Sequence, residues 1–199
     1  MSIILKLLVI YSISWNILAA DIYIHEKDTI KSIIINGTIE QDDDLKFIEL
    51  IQNNDDMLVF IISPRGNVET AMRIGLYIRQ YKMDTLAGPM CYSSCTIILA
   101  SGINRTAMEE SKIGMHRPVI ETDGFLSSIN VFLHLLFTSS QTIYIAGLTD
   151  ASRISSYFIM MGVEPLLATG HLMIPNKSIL EKPNTFWREH NLITEIKSP

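Results

Sequence analysis

The feature that most limits the fold is an alternation. From Ile30 to His116, short runs rich in β-branched residues trade places with stretches of helical periodicity. Such a pattern calls for strands joined by crossover helices, so the class is α/β. Ile30 to Asn36 reads as a strand closed by Gly37. Leu45, Ile48 and Ile51 then recur every three residues on a helix whose opening turns hold Glu40, Asp42, Asp43 and Asp44, the sign of charge a helix N-terminus favours. Met57 to Ile62 is an almost unbroken apolar run, as expected of a strand covered on both faces, and Ser63-Pro64-Arg65-Gly66-Asn67 ends it. Val68, Ala71, Met72 and Gly75, with Ile74, Ile78 and Tyr81 alongside, give the next helix a broad apolar face. Met83 to Ala87 predicts a short strand leading into Gly88-Pro89.

Thr96 to Ala100 is apolar without a polar face, which predicts a buried helix beginning at Ser93 or Ser94. Lys112 to His116 is another short strand. Phe125 to Leu148 is long, apolar and helical in character, suited to packing on the core or on another subunit. Arg153 to Met161 predicts a helix stopped by Gly162 at the C′ position. Leu172 to Ile174 reads as a strand, Lys182 to His190 as a helix and Leu192 to Ile196 as a closing extended segment. There is no internal repeat.

A chain of 199 residues, 48% of them hydrophobic, can bury one sizeable core, and a net charge of −5 supplies no basic field for phosphates, so nucleic acid is not an expected partner. The N-terminus stands apart from this core. One lysine in Met1 to Lys6, the apolar stretch Leu7 to Ile13 and the small residues Ala19-Ala20 read as a secretory signal over residues 1–20, leaving a mature domain of 21–199 in the periplasm or outside the cell. The alternative is an uncleaved membrane anchor, but Ser12, Ser14 and Asn16 interrupt a segment already short of the roughly 20 residues a span needs. Export permits disulfides. Cys91 and Cys95, four positions apart, can bridge only if their Cα atoms lie within roughly 4.4–6.8 Å, so a disulfide and two buried thiols both stay open. Two thiols leave a zinc ion two ligands short, and no metal is expected.

The chemistry gathers on Cys91-Tyr92-Ser93-Ser94-Cys95 and on His116 in Gly114-Met115-His116-Arg117-Pro118. A serine at the start of a buried helix points its hydroxyl out of the turn, beside N–H groups that favour the negative charge of acyl transfer. Serine is also a favoured N-cap, so Ser93 or Ser94 can instead satisfy backbone donors. His116 ends a strand beside a turn proline, a placement that His25, His134, His171 and His190 lack, and it is the best candidate base. Gly66 and the backbone N–H of Ser94 are the candidate oxyanion donors.

Across Ile33 to Pro118 the chain resembles the Clp protease proteolytic subunit and, more closely, exported members of the Clp/crotonase superfamily with a Cys-x-Ser-x-Cys motif. The resemblance implies repeated β-β-α and βαβ units around a central, mostly parallel sheet flanked by helices. The family's Ser-Pro-Gly-Gly turn corresponds to Ser63-Pro64-Arg65-Gly66, which carries the oxyanion role to Gly66, with Arg65 in place of the first glycine. Its nucleophile has a glycine nine residues downstream, a distance that Gly102 selects for Ser93 over Ser94. Arg105 follows as in the family, and the His-x-Pro ending assigns the base to His116. The family's third triad member is an aspartate in the region that Asn176 to Leu192 resembles, and no aspartate occurs there. Asn176, Ser178 or Glu181 is left to orient His116, or serine and histidine act as a dyad.

The resemblance thus implies an exported serine hydrolase, a peptidase acting on peptides or proteins, without a cofactor; the apolar stretch Phe125 to Leu148 leaves a homo-oligomer open. A second reading keeps the fold as a catalytically weak or inactive binding or assembly protein. Acyl-CoA chemistry on the crotonase variant is a third, disfavoured by export from the CoA pool. An ATP-driven partner is likewise not expected outside the cytosol.

Overall fold

Parallel strands deliver the chain to the serine. The structure, a computed structural model, describes residues 19–27, 30–51, 57–117, 151–175 and 177–198. The helix expected over Phe125 to Leu148 lies outside them. The described elements run β1 (Asp21–Lys27), β2 (Ile30–Asn36), α1 (Asp43–Ile51), β3 (Leu58–Ser63), α2 (Val68–Gln80), β4 (Asp84–Tyr92), α3 (Ser94–Ala100), β5 (Arg105–Met108) and β6 (Lys112–Met115). They continue with a helix over 151–160 (α4), α5 (Pro165–Gly170), a single 3-10 turn (His171–Met173), β7 (Leu180–Glu181), α6 (Asn184–Glu189) and β8 (Glu195–Lys197).

Among the described residues the sheet has eight strands in the order β1-β2-β3-β4-β5-β8, with β6 on β4 and β7 on β6. Among the described residues only the β1–β2 and β6–β7 pairs are antiparallel. The α/β class with a mostly parallel sheet is therefore present. The hairpin strand β1 was not anticipated; Ala20 just before it is buried and donates to Thr38 O at 2.7 Å, so the packed structure begins ahead of Asp21.

Strand β3 differs from its expected double burial. Val59, Ile61 and Ser63 are fully buried, whereas Leu58, Phe60 and Ile62 on the opposite face are only half-buried. Helix α1 is partly turned from the expected face: Ile51 is buried and Ile48 packs against the core as expected, but Phe47 is buried while Leu45 is 56% exposed. Its acids explain the rotation. Asp43 accepts the Glu40 N–H at 2.8 Å, and Asp44 takes two hydrogen bonds from Arg73 of α2, at 2.7 and 3.0 Å. That guanidinium, bonded to it, holds the Asp44 carboxyl below the usual carboxylate range against the opposing effect of burial.

Strand β4 is longer than the expected Met83 to Ala87, running through Gly88-Pro89 to Tyr92. Its outer partner changes midway: Thr85 to Ala87 pair with β5, and Met90 to Tyr92 pair with β6. Proline is accommodated because it falls between the two ladders, where no N–H is required. Helix α3 is buried along its whole length, as its uniform apolarity predicts.

Around α3, α2 packs on one side. Gly75 lets Tyr157 of α4 approach so closely that a Cβ there would lie 1.8 Å from its hydroxyl, and the hydroxyl donates to Ile97 O at 3.2 Å. Two arginines close the far end. Arg79 binds Ala100 O and Met161 O at 3.3 and 3.1 Å, and buried Arg105 binds Gly102 O, Met161 O and Asn191 O at 3.3, 3.4 and 3.0 Å. They satisfy carbonyls left open where helices end.

Beyond Gly162, whose φ of 88° ends α4 as expected, the outcome is more mixed. Helix α5 was not foreseen, and Leu172 and Met173 belong to the 3-10 turn, so no strand forms there. Helix α6 is shorter than Lys182 to His190 because Pro183 precedes its first turn. It buries Trp187, and β8 then lies parallel to β5. Among the described residues no helix is long and apolar enough to cross a membrane.

Candidate active site

The parallel strands β3, β4 and β6 end at one edge of the sheet, where ligands of open α/β sheets bind. Ser93 occupies the bend between β4 and α3 with φ 56° and ψ −121°, a conformation that costs a non-glycine residue about 1–3 kcal/mol. Several contacts impose it. Ser93 N–H donates to Gly114 O at 3.0 Å, and Ser93 O accepts from Thr96 N–H and Thr96 Oγ1 at 2.9 and 2.6 Å. Cys91 and Cys95 are joined by a disulfide, with Cα atoms 5.2 Å apart, so a covalent bridge spans the bend. The Ser93 side chain makes no capping hydrogen bond, which leaves its hydroxyl free to face the adjoining cleft.

Ser94 also lines that cleft. Its N–H is the first of α3 and has no intrahelical acceptor, and its buried Oγ has no partner. The turn after β3 comes out beside them, because Ser63 pairs with Cys91. Arg65 O accepts from Ser63 Oγ at 2.9 Å and from Ile39 N–H at 3.1 Å. The turn uses the Arg65 backbone at ordinary negative φ, so a side chain in place of the family's first glycine leaves it intact. Gly66 has φ 153°, and a Cβ there would lie 2.4 Å from Ile39 O. Its N–H donates to no other described residue. Val68, two positions on, reaches the cleft; Gly66 itself does not line it in this conformation.

His116 follows β6 directly. Tyr92 pairs with Gly114, so Ser93 and His116 emerge side by side, and both line the same small cleft. His116 Nδ1 lies 2.7 Å from Arg117 O. A donating Nδ1–H there leaves the lone pair on Nε2, the form a general base needs. No direct hydrogen bond joins the imidazole to Ser93 in this state.

Two of the residues expected to orient His116, Glu181 and Ser178, make other contacts. Glu181 accepts a 2.5 Å hydrogen bond from Tyr92 Oη, whose pKa burial and this bond push up to about 12. Ser178 is exposed in a turn, with its N–H on Pro175 O at 2.9 Å, and Asn176 lies outside the described residues. The Arg117 carbonyl takes the orienting place instead.

A second histidine enters unexpectedly. His171 lines the cleft with Ser93 and His116, held near by Arg117 N–H donating to Ile174 O at 3.2 Å. It is buried, its ring edge meets Phe158 at 5.4 Å between centroids, and neither ring nitrogen has a hydrogen-bond partner. Burial pushes its pKa down, so the ring is neutral at pH 7. Its only sequence signal is an isolated histidine among apolar residues at a helix end.

A family model for Clp protease matches residues 11–146, more than half the chain, and this span contains both Ser93 and His116. The chain belongs to the Clp protease family. No curated protein matches it. Membership accounts for the mostly parallel sheet, and it marks the serine-type peptidase chemistry of Clp proteases as the activity to weigh against this site.

Proposed function

We propose that this Clp protease family member is an exported serine peptidase with Ser93 as nucleophile and His116 as base. His116 Nε2 takes the Ser93 hydroxyl proton as Oγ attacks a peptide carbonyl, and the N–H groups of Gly66 and Ser94 hold the oxyanion. The imidazolium then gives its proton to the leaving amine, and water, deprotonated by the same ring, releases the acyl enzyme. The observation that carries this reading is the uncapped Ser93 hydroxyl on a strained strand-to-helix bend, opening into a cleft shared with His116. Export is supported by the signal-like first 20 residues and by the Cys91–Cys95 disulfide, which suits an oxidising compartment. A fluorophosphonate probe labels the wild-type chain and not Ser93→Ala; equal labelling of both ends the assignment. Sequencing the exported chain finds an N-terminus near Asp21 if residues 1–20 are removed.

One observation favours the second reading, a binding or assembly protein: His116 is oriented by a carbonyl rather than a carboxylate. A chain inert to the probe and oligomeric by light scattering has that role.

A further inference from the structure

Two states compete for Ser93: a nucleophile with its hydroxyl in the cleft, and an ordinary N-cap with that oxygen spent on a backbone donor. The structure holds the first. The second is close at hand. The N–H of Cys95, second residue of α3, makes no hydrogen bond among the described residues, and it is the kind of donor a capping serine takes. A capping residue has a negative, extended φ, whereas Ser93 stands at 56°. A strained conformation persists only where its surroundings impose it.

The disulfide is placed to impose it. Cys91 and Cys95 stand two residues to either side of Ser93, and both are fully buried. Cys91 is fixed within the sheet, level with Ser63 of β3 and Ile113 of β6, and Cys95 lies in the first turn of α3. Ser93 reaches a negative φ in one of two ways. Either the Tyr92–Ser93 peptide turns over and loses the Ser93 N–H bond to Gly114 O, or the start of α3 swings relative to β4. The bridge holds the two Cα atoms 5.2 Å apart and bars the swing. Of the contacts around the bend, it is the one that redox chemistry can make or break.

We propose that the Cys91–Cys95 disulfide is a redox-sensitive positioning element: it keeps the Ser93 hydroxyl uncapped, and its reduction lets Ser93 become an N-cap and lose reactivity. This deepens the peptidase reading and rests on it. A dithiol breaks the S–S bond with two electrons, leaves two protonated thiols on the chain and departs as its own cyclic disulfide. Ser93 then relaxes onto the Cys95 N–H. The strain released is worth a factor of about 5 to 150 in the share of chains with a free hydroxyl.

The test is a double-mutant cycle on the full chain, read as denaturant midpoints. With the bridge intact, Ser93→Gly raises the midpoint, because glycine takes φ 56° freely. In the Cys91→Ala, Cys95→Ala background the same substitution leaves the midpoint unchanged or lowers it, since the strain has gone and a cap is lost. A bridge that acts through chain entropy alone gives the same rise in both backgrounds. That result overturns the proposal, and so does the absence of a rise in the bridged chain. If the alanine pair does not fold, the dithiol-reduced chain with and without Ser93→Gly gives the same readout; a reduced chain that is itself unfolded overturns the proposal, because Ser93 then has no relaxed folded state. Fluorophosphonate labelling, followed below the unfolding transition, slows at least about fivefold on reduction and recovers on reoxidation. An unchanged rate overturns the proposal and leaves the peptidase reading standing. An oxidised chain that is not labelled, with the midpoint rise confined to the bridged background, ends the peptidase reading and retains the hold of the bridge on Ser93.

Discussion

Ser93 and His116 emerge side by side from neighbouring strands, yet they are held in opposite ways. The serine is over-determined: a disulfide spans it, a fully buried helix follows it, and three hydrogen bonds fix its backbone in a conformation it would not choose. The histidine follows a four-residue strand whose outer neighbour, β7, has two residues, and its one side-chain hydrogen bond goes to the next carbonyl along the chain. The comparison teaches that this fold invests its rigidity in the proposed nucleophile and leaves the proposed base free to adjust. The missing Ser93–His116 hydrogen bond follows from that division, since contacts at unliganded sites often tighten only when substrate arrives.

The contrast can be broken most forcefully at the base. His116→Ala slows probe labelling of Ser93 by about 10²–10⁴-fold, the usual worth of a positioned base, while the melting temperature stays within a degree or so because little packing depends on the ring. A comparable loss of stability would mean the base is structurally anchored after all. Next in size is the bridge: the double variant Cys91→Ser, Cys95→Ser loses about 2 kcal/mol of stability by chain entropy for so short a loop, read from denaturant midpoints with unchanged slope. Ser93→Gly sharpens the point by moving the other way. Glycine adopts φ 56° without strain, so this variant gains about 1 kcal/mol while labelling disappears. Smallest is Tyr92→Phe, which removes the hydrogen bond to Glu181 and costs about 1 kcal/mol or less, because that carboxylate is exposed. Tyr92 Oη remains a donor throughout the neutral range, its pKa being about 12, so the effect does not vary between pH 6 and 9 on the scale of roughly 0.3 kcal/mol.

Elements whose burial contrast is local were legible in the sequence. β2, β3, α2 and α3 are separated by Gly37 and by the Ser63 to Asn67 turn, and each carries enough apolar residues to declare its period. β5 could not be read that way. Arg-Thr-Ala-Met has little strand character alone; it is a strand because Thr106 pairs with Glu195, far along the chain, and because Thr85 to Ala87 pair with it on the other side. Leu172 and Met173 look extended, but the chain is still completing the turn that follows α5. At the site, Ser93 and His116 lie in one continuous βαβ unit, so spacing predicts that they meet. His171 reaches them only through tertiary packing against Phe158 and the Arg117–Ile174 hydrogen bond, and no periodicity announces it. Glu181 is drawn aside for a related reason: β7 pairs with β6 through Met115 and Leu180, and that register leaves Glu181 beside Tyr92.

The change of neighbour at Gly88-Pro89 makes the sheet fork. One tine, β5 and β8, is locked by buried Arg105 and the C-terminal segment; the other, β6 and β7, bears His116. Mutational drift along the second tine can therefore retune the distance between His116 and Ser93 without loosening the first. Such a branched layout offers evolution a hinge for adjusting, or silencing, chemistry on a scaffold that need not be rebuilt.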